Sequence, residues 1–150
     1  ATSFFNLAGK TLVMASPTNT KLFRNETGNQ EDTSNMSSYI QRTGLTMDES
    51  GQPNQSMVKR ISAVWPKMKV NPDSATDTVN VYVGHQMSTE EAITWEGPYT
   101  FNPDTQSKVP VRVTGKYIGV KFESTTDTTW QLNGYSLDVK NAGNRGSVSR

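Results

Sequence analysis

The sequence predicts an all-β fold: a β-sandwich or jelly roll of about eight mostly antiparallel strands, with an extended polar excursion. Three observations predict it. Apolar and polar residues alternate with a period of two, most cleanly in "DTVNVYVGH" (Asp77–His85), where Val79, Val81 and Val83 point inward and Thr78 and Asn80 outward. No window long enough for a helix holds a helical period; short turns around Ser88–Ala92 and near Met36 are the only helix candidates. Finally, only 33% of the chain is hydrophobic and 19% charged, so Ser, Thr, Asn and Gln make up the difference and suit the outer faces and turns of sheets.

Taken in order, "KTLVMAS" (Lys10–Ser16) and "TKLFRNE" (Thr20–Glu26) read as two short strands. The turn formers Pro17, Thr18 and Asn19 between them make an N-terminal hairpin. Residues 25–56 shift to Asn, Gln, Ser, Thr, Gly and acids, with "MSSYIQRTGLTM" (Met36–Met47) as their one apolar island. This is an extended excursion carrying one strand, inside a single domain spanning 1–150. "SMVKRISAVWP" (Ser56–Pro66) places Ile61, Ala63 and Trp65 on one face and Val58 and Val64 on the other, the pattern of a strand buried on both sides. "KVPVRVTG" (Lys108–Gly115) turns Val109, Val111 and Val113 inward. Pro110 cannot donate to a ladder and sets this strand at an edge or beside a bulge.

Near the C-terminus the alternation of Trp130 and Leu132 slips by one before Tyr135, Leu137 and Val139. A two-residue Asn133-Gly134 hairpin loop and a bulge at Gly134 both fit that parity. Strand length favours the bulge: Lys116–Ser124 needs a partner of similar length, and a single bulged strand from about Thr128 to Val139 supplies one after the turn at Thr125–Thr128. Ile118, Val120, Phe122, Trp130, Leu132, Leu137 and Val139 are expected in one core. A polar tail, 141–150, follows. The excursion and the two ends hold too little apolar surface to offset their own ordering, at about 1–2 kcal/mol per residue of backbone, and are expected to find partners in another subunit.

The formal net charge of +1 gives no electrostatic footprint for nucleic acid. With no cysteine, disulfides and thiolate metal sites are excluded. No apolar run is long enough to cross a bilayer, and "ATSFFNLAGK" lacks the apolar core of a signal peptide. His85, the sole histidine, would need carboxylates alone beside it to hold a metal, so it reads as a loop-lining or surface residue. Glu90, Glu91 and Glu96 would have to face one another across a cleft to act as glycosidase carboxylates, and adjacent loop acids are ordinarily solvated. Gly9-Lys10-Thr11 echoes the end of a phosphate loop without its upstream glycine or following helix. No nucleophile elbow occurs. The expectation is a non-enzyme with no catalytic, cofactor-binding or metal-binding residues and no cofactor. Trp95, Tyr99 and Phe101 in "TWEGPYTF" can serve as a sugar-stacking platform, as an interface anchor, or as a plug at one end of a sandwich.

The ordered series "VWPKM", "VNVYVGHQ", "ITWEGPYTF", "GKYIGVKFES" and "TTWQLNGYSLDV", ending in "NAGNRG", resembles the C-terminal region of tube or nozzle-type tail proteins of short-tailed bacteriophages. "TKLFRNETG" and "SSYIQRTGL" resemble the stretch that precedes it there, so the resemblance runs from about Thr20 to Gly146. It departs in two places. Those proteins are several times longer and include a propeller for which this chain has no room, and Lys116 stands where they carry Arg before the Tyr-Ile pair. The resemblance implies a virion structural module of the tail or head–tail junction. It would be assembled in the bacterial host cytoplasm as a symmetric homo-oligomer, with itself and other virion proteins as partners. A weaker similarity of "Trp-x-Leu-x-Gly-Tyr" to discoidin-like and carbohydrate-binding jelly rolls implies a glycan- or receptor-binding module instead. A capsid cement protein is a third reading.

Overall fold

The computed structural model describes residues 34–70, 78–126 and 128–143 in full, together with the backbone of four short strands before them. The chain divides into two compact units, Ala1–Met36 and Ser37–Arg150. Every strand pair is antiparallel, and no helix occurs among the described residues. The helix candidate at Ser88–Ala92 is instead a turn, closed by Glu91 N–H donating to the Ser88 carbonyl at 3.3 Å, and the stretch at Met36 is extended or irregular.

The first unit holds a three-stranded sheet, β1 (Phe4–Leu7), β2 (Thr11–Ala15) and β3 (Leu22–Arg24), in that order, and a small pair, β4 (Gln30–Glu31) with β5 (Ser34–Asn35). The expected pairing of the second and third of these strands is present. Phe4–Leu7 adds a strand that the sequence pattern had not suggested, and Pro17, Thr18 and Asn19 lie outside the described residues.

The second unit is a β-sandwich of seven strands: β6 (Ser38–Leu45), β7 (Lys59–Val70), β8 (Val79–Gln86), β9 (Thr94–Phe101), β10 (Val109–Gly115), β11 (Tyr117–Ser124) and β12 (Trp130–Asn141). One sheet runs β10-β7-β12 and the other β6-β11-β8-β9. Only β8 and β9 are neighbours both in sequence and in a sheet. The chain otherwise shuttles between sheets, and each crossing delivers apolar side chains to the layer between them. Ile61, Val64, Val79, Val81, Val83, Phe101, Val109, Val113, Ile118, Val120 and Phe122 form the buried core, with Trp130, Leu132, Tyr135, Leu137 and Val139 packed against it. All seven residues expected to share one core therefore do so.

Bulges decide which side chains reach that layer. Leu132 pairs with Met68 and Gly134 with Lys67, so Asn133 is the extra residue and β12 is one long bulged strand. The hairpin alternative is thereby excluded. Its partner is not Lys116–Ser124, however: β12 pairs with β7, also twelve residues long, while β11 lies between β6 and β8 in the opposite sheet. The expected face of β7 is also corrected. Asp138 pairs with Ala63 and Val139 with Ile61, which leaves Ser62 as an extra residue that flips the parity. Ile61 and Val64 consequently share the core face, and Trp65 is 40% exposed on the outside with the Lys108 ammonium 5.1 Å from its ring centre. Pro110 meets both expectations, since β10 is an edge strand and its register shifts between Pro110 and Val113.

Part of the polar excursion belongs to the sandwich itself, because β6 pairs with β11 from Ser38↔Ser124 to Ile118↔Leu45. Between β6 and β7, Asp48 organises a tight loop. Its Oδ1 accepts from Ser50 N–H at 2.9 Å, Ser50 Oγ at 2.6 Å and Gln52 N–H at 3.2 Å. Lys59 anchors the loop's far end. Fully buried, its ammonium donates to the carbonyls of Asn54, Met57 (3.0 Å) and Lys116 (2.9 Å).

Candidate functional site

Two surfaces of the sandwich carry more than packing requires. The first is the side where β6 and β12 end their respective sheets. Four strands face three, so the inner face of β6 extends past the opposite sheet. Ile40 pairs with Phe122 and has the parity of a core residue, yet it is 51% exposed. A groove of ≈ 600 Å³ opens here, with Leu45, Ile61, Ile118, Leu137 and Val139 among its lining and Arg42, Asp48, Glu49 and Asp138 around it. Trp130 Nε1 donating to Ser38 Oγ at 2.9 Å ties the edges at one end, and Glu49 Oε2 accepting from Asn141 N–H at 3.3 Å ties them at the other.

The second surface is the outer face of the four-stranded sheet. Registers place Tyr39 and Gln41 of β6 beside Glu123 and Lys121 of β11, the Thr43 methyl reaches Gly119 across the β6 bulge, and Glu123, Lys121 and Gly119 in turn lie beside Asn80, Tyr82 and Gly84 of β8. The Lys121 ammonium stands 5.3 Å from the Tyr39 ring centre and 4.8 Å from that of Tyr82, and reaches Glu123 at 2.9 Å. Glu123 is held below the usual carboxylate range chiefly by the Lys121 hydrogen bond, and the Tyr82 hydroxyl donates to it as well. Tyr82 in turn is raised, first by burial and then by that bond to a carboxylate.

Gly84 and Gly119 face each other across β8 and β11. A Cβ at Gly84 would lie 2.5 Å from Ile93 Cδ1 and 3.0 Å from Trp95 Cε3, and one at Gly119 2.6 Å from Ile93 Cδ1 and 3.1 Å from Trp95 Cη2. The glycine pair thus makes a shallow notch in which the indole lies against two strands. Of the three aromatics singled out in "TWEGPYTF", only Trp95 is on this face. The bulge around Gly97-Pro98, a cis peptide with Gly97 at φ 125°, turns Tyr99 and Phe101 into the core. Gly97 is required there, since a Cβ would meet the Val81 carbonyl oxygen at 2.9 Å. Tyr39 and Tyr82 were missed as partners of Trp95 because they come from strands 43 residues apart. Their alternation with inward-facing neighbours was the one local signal.

The acidic and histidine candidates are dispersed. His85 Nε2 lies 3.8 Å from Glu96 Oε1, and no third His, Asp or Glu joins them into a metal-holding group among the described residues. Glu90 and Glu91 sit on the exposed turn, where the Glu91 carboxylate accepts from Met87 N–H at 3.3 Å. Gly9 and Lys10 lie outside the described residues. No helix among the described residues is long and apolar enough to cross a membrane. Searches against protein families and curated proteins found no match to this chain.

Proposed function

We propose that this protein is a structural component of a bacteriophage virion, in the tail or at the head–tail junction, that assembles as a symmetric homo-oligomer. The observation that carries the assembly reading is the β6 edge, whose outer side pairs with no other strand of the sandwich. Natural edge strands are blunted by charge, proline, bulges or cover. β6 has a single charged residue, Arg42, and its bulge at Thr43-Gly44 leaves Ser38–Arg42 regular. Seven of its eight residues are exposed, and four of the six large apolar side chains exposed among the described residues are Met36, Tyr39, Ile40 and Met47, on or beside this strand.

A strand from a second copy, added along β6, would pair with the backbone groups of its outer edge and cover Ile40 beside the groove. Repeated around a symmetry axis, such a contact builds a ring or a closed oligomer. Placement in a phage particle draws its support from the ordered motifs that resemble short-tailed phage tail proteins, with other virion proteins as further partners. Native mass spectrometry of the purified chain tests the assembly. A discrete oligomer is expected, and Ile40→Lys should dissociate it without unfolding the sandwich. A wild-type chain that stays monomeric at every concentration tried would sink this reading.

A further inference from the structure

The outer face of β6-β11-β8-β9 holds a combination that folding alone does not require. The indole of Trp95 and the tip of Ile93 pack over a glycine pair, two tyrosines flank one ammonium, and uncharged hydrogen-bonding groups lie in the same rows, Gln41 beside Lys121 and Asn80 beside Glu123. We infer that this face binds a neutral oligosaccharide. The inference rests on the outer face and shares Tyr39 with the β6 edge contact, so Tyr82→Ala, off that strand, separates the two readings.

The chemistry matches on three counts. A pyranose ring presents a flat C–H face, which packs on an aromatic ring. Trp95, Tyr82 and Tyr39 offer such rings on three different strands of one sheet, and a sheet keeps its side chains at fixed spacing. Sugar hydroxyls both donate and accept. Lys121 supplies donors, Glu123 acceptors and the Gln41 and Asn80 amides both, and the Lys121 and Glu123 side chains hold each other at 2.9 Å. Charge selects among ligands: the two charged side chains on the paired rows of this face, Lys121 and Glu123, are of opposite sign and bonded to each other. An anion or a cation would find no uncompensated partner, whereas a neutral polyhydroxyl ligand exchanges hydrogen bonds with both. A protein partner fits less well. Interface cores are apolar and depleted in charge, while Ile93, the aliphatic side chain beside the glycine pair, has its tip tucked against the glycines.

The test uses the full chain, first on a printed array of neutral glycans and then by calorimetric titration of the best oligosaccharide found. Saturable binding is expected, with amide shifts at Asn80, Tyr82, Lys121 and Glu123 in a heteronuclear NMR titration. Tyr82→Ala and the more exposed Tyr39→Ala should each weaken it by up to about ten-fold, the worth of one aromatic contact. Lys121→Gln, which retains a donor but loses the charge pair, should weaken it also. Trp65→Ala, on the opposite sheet, should leave it unchanged. Three results would overturn the inference: no neutral glycan bound, binding confined to a sulfated heparin hexasaccharide used as the charged comparison, or binding indifferent to all three outer-face substitutions.

Discussion

Lys59 illustrates how a single residue can be settled by its surroundings. In sequence it is a charged residue at the start of a strand, but in the fold it is fully buried, and its three protons go to three backbone carbonyls. Lys59→Met would leave those carbonyls unpaired and should cost about 1–3 kcal/mol in urea unfolding. Burial also lowers its pKa from 10.5, so over the window below that value the unfolded chain binds a proton the folded chain does not. Lys59 therefore makes stability rise with pH through that window, and the methionine variant should lose this alkaline rise. Glu123 has the opposite dependence at the acid end. Its carboxyl is held below 4.5, chiefly by Lys121, so its contribution is present above that value and is lost as pH falls through it toward the folded pKa. Glu123→Gln should flatten the fall in urea midpoint below about pH 5. Phe122, 1% exposed and 5.6 Å from Tyr135 ring to ring, belongs to the core proper, and Phe122→Ala should cost roughly 3–5 kcal/mol in the same assay.

At the scale of the element, bulges set the pattern. Period-two alternation locates β8 and β11 without error because neither is interrupted, and their mutual register runs unbroken from Tyr117↔Gln86 to Glu123↔Asn80. β7 was misread because Ser62 carries no mark in the sequence. A bulge there became visible only through its pairing with Val139 and Asp138 on a strand 76 residues away. The slip at Asn133-Gly134 was easier to detect, since apolar residues on both sides announce it, although the bulge expected at Gly134 falls on Asn133. In β6 the bulge depends on Gly44 at φ 71°, a left-handed conformation that costs a side chain about 1–2 kcal/mol. Gly44→Val should therefore lower the thermal midpoint although a Cβ there meets nothing within 4 Å. Gly84→Ala acts differently, by contact. Its Cβ would displace Ile93 and Trp95, so the indole's emission should shift along with an overpacking cost of about 1–3 kcal/mol.

At the scale of the whole molecule, every buried core residue among the described residues lies between Leu45 and Phe122, inside the second unit, and the partly buried shell closes with Val139. The fragment Ser37–Arg150 is therefore expected to unfold cooperatively at nearly the midpoint of the full chain, with β8 and β11 giving the slowest hydrogen exchange. A fragment that is molten by near-UV circular dichroism would show that the first unit is needed for the core. The sequence by itself determined the all-β class, the inward valines of β8 and β10, the core membership of β11 and β12, and that Pro110 stands at an edge or beside a bulge. Each follows from alternation or from a missing N–H, both properties of a few adjacent residues. Only the tertiary structure decided that β12 pairs with β7, that Ile40 faces inward and is still exposed, and that Trp95 shares a face with Tyr82 and Tyr39 while Tyr99 and Phe101 do not. These depend on which strands become neighbours. Outside the β8–β9 pair, sandwich neighbours come from distant parts of the chain, so no local stretch contains the information that sets one beside another.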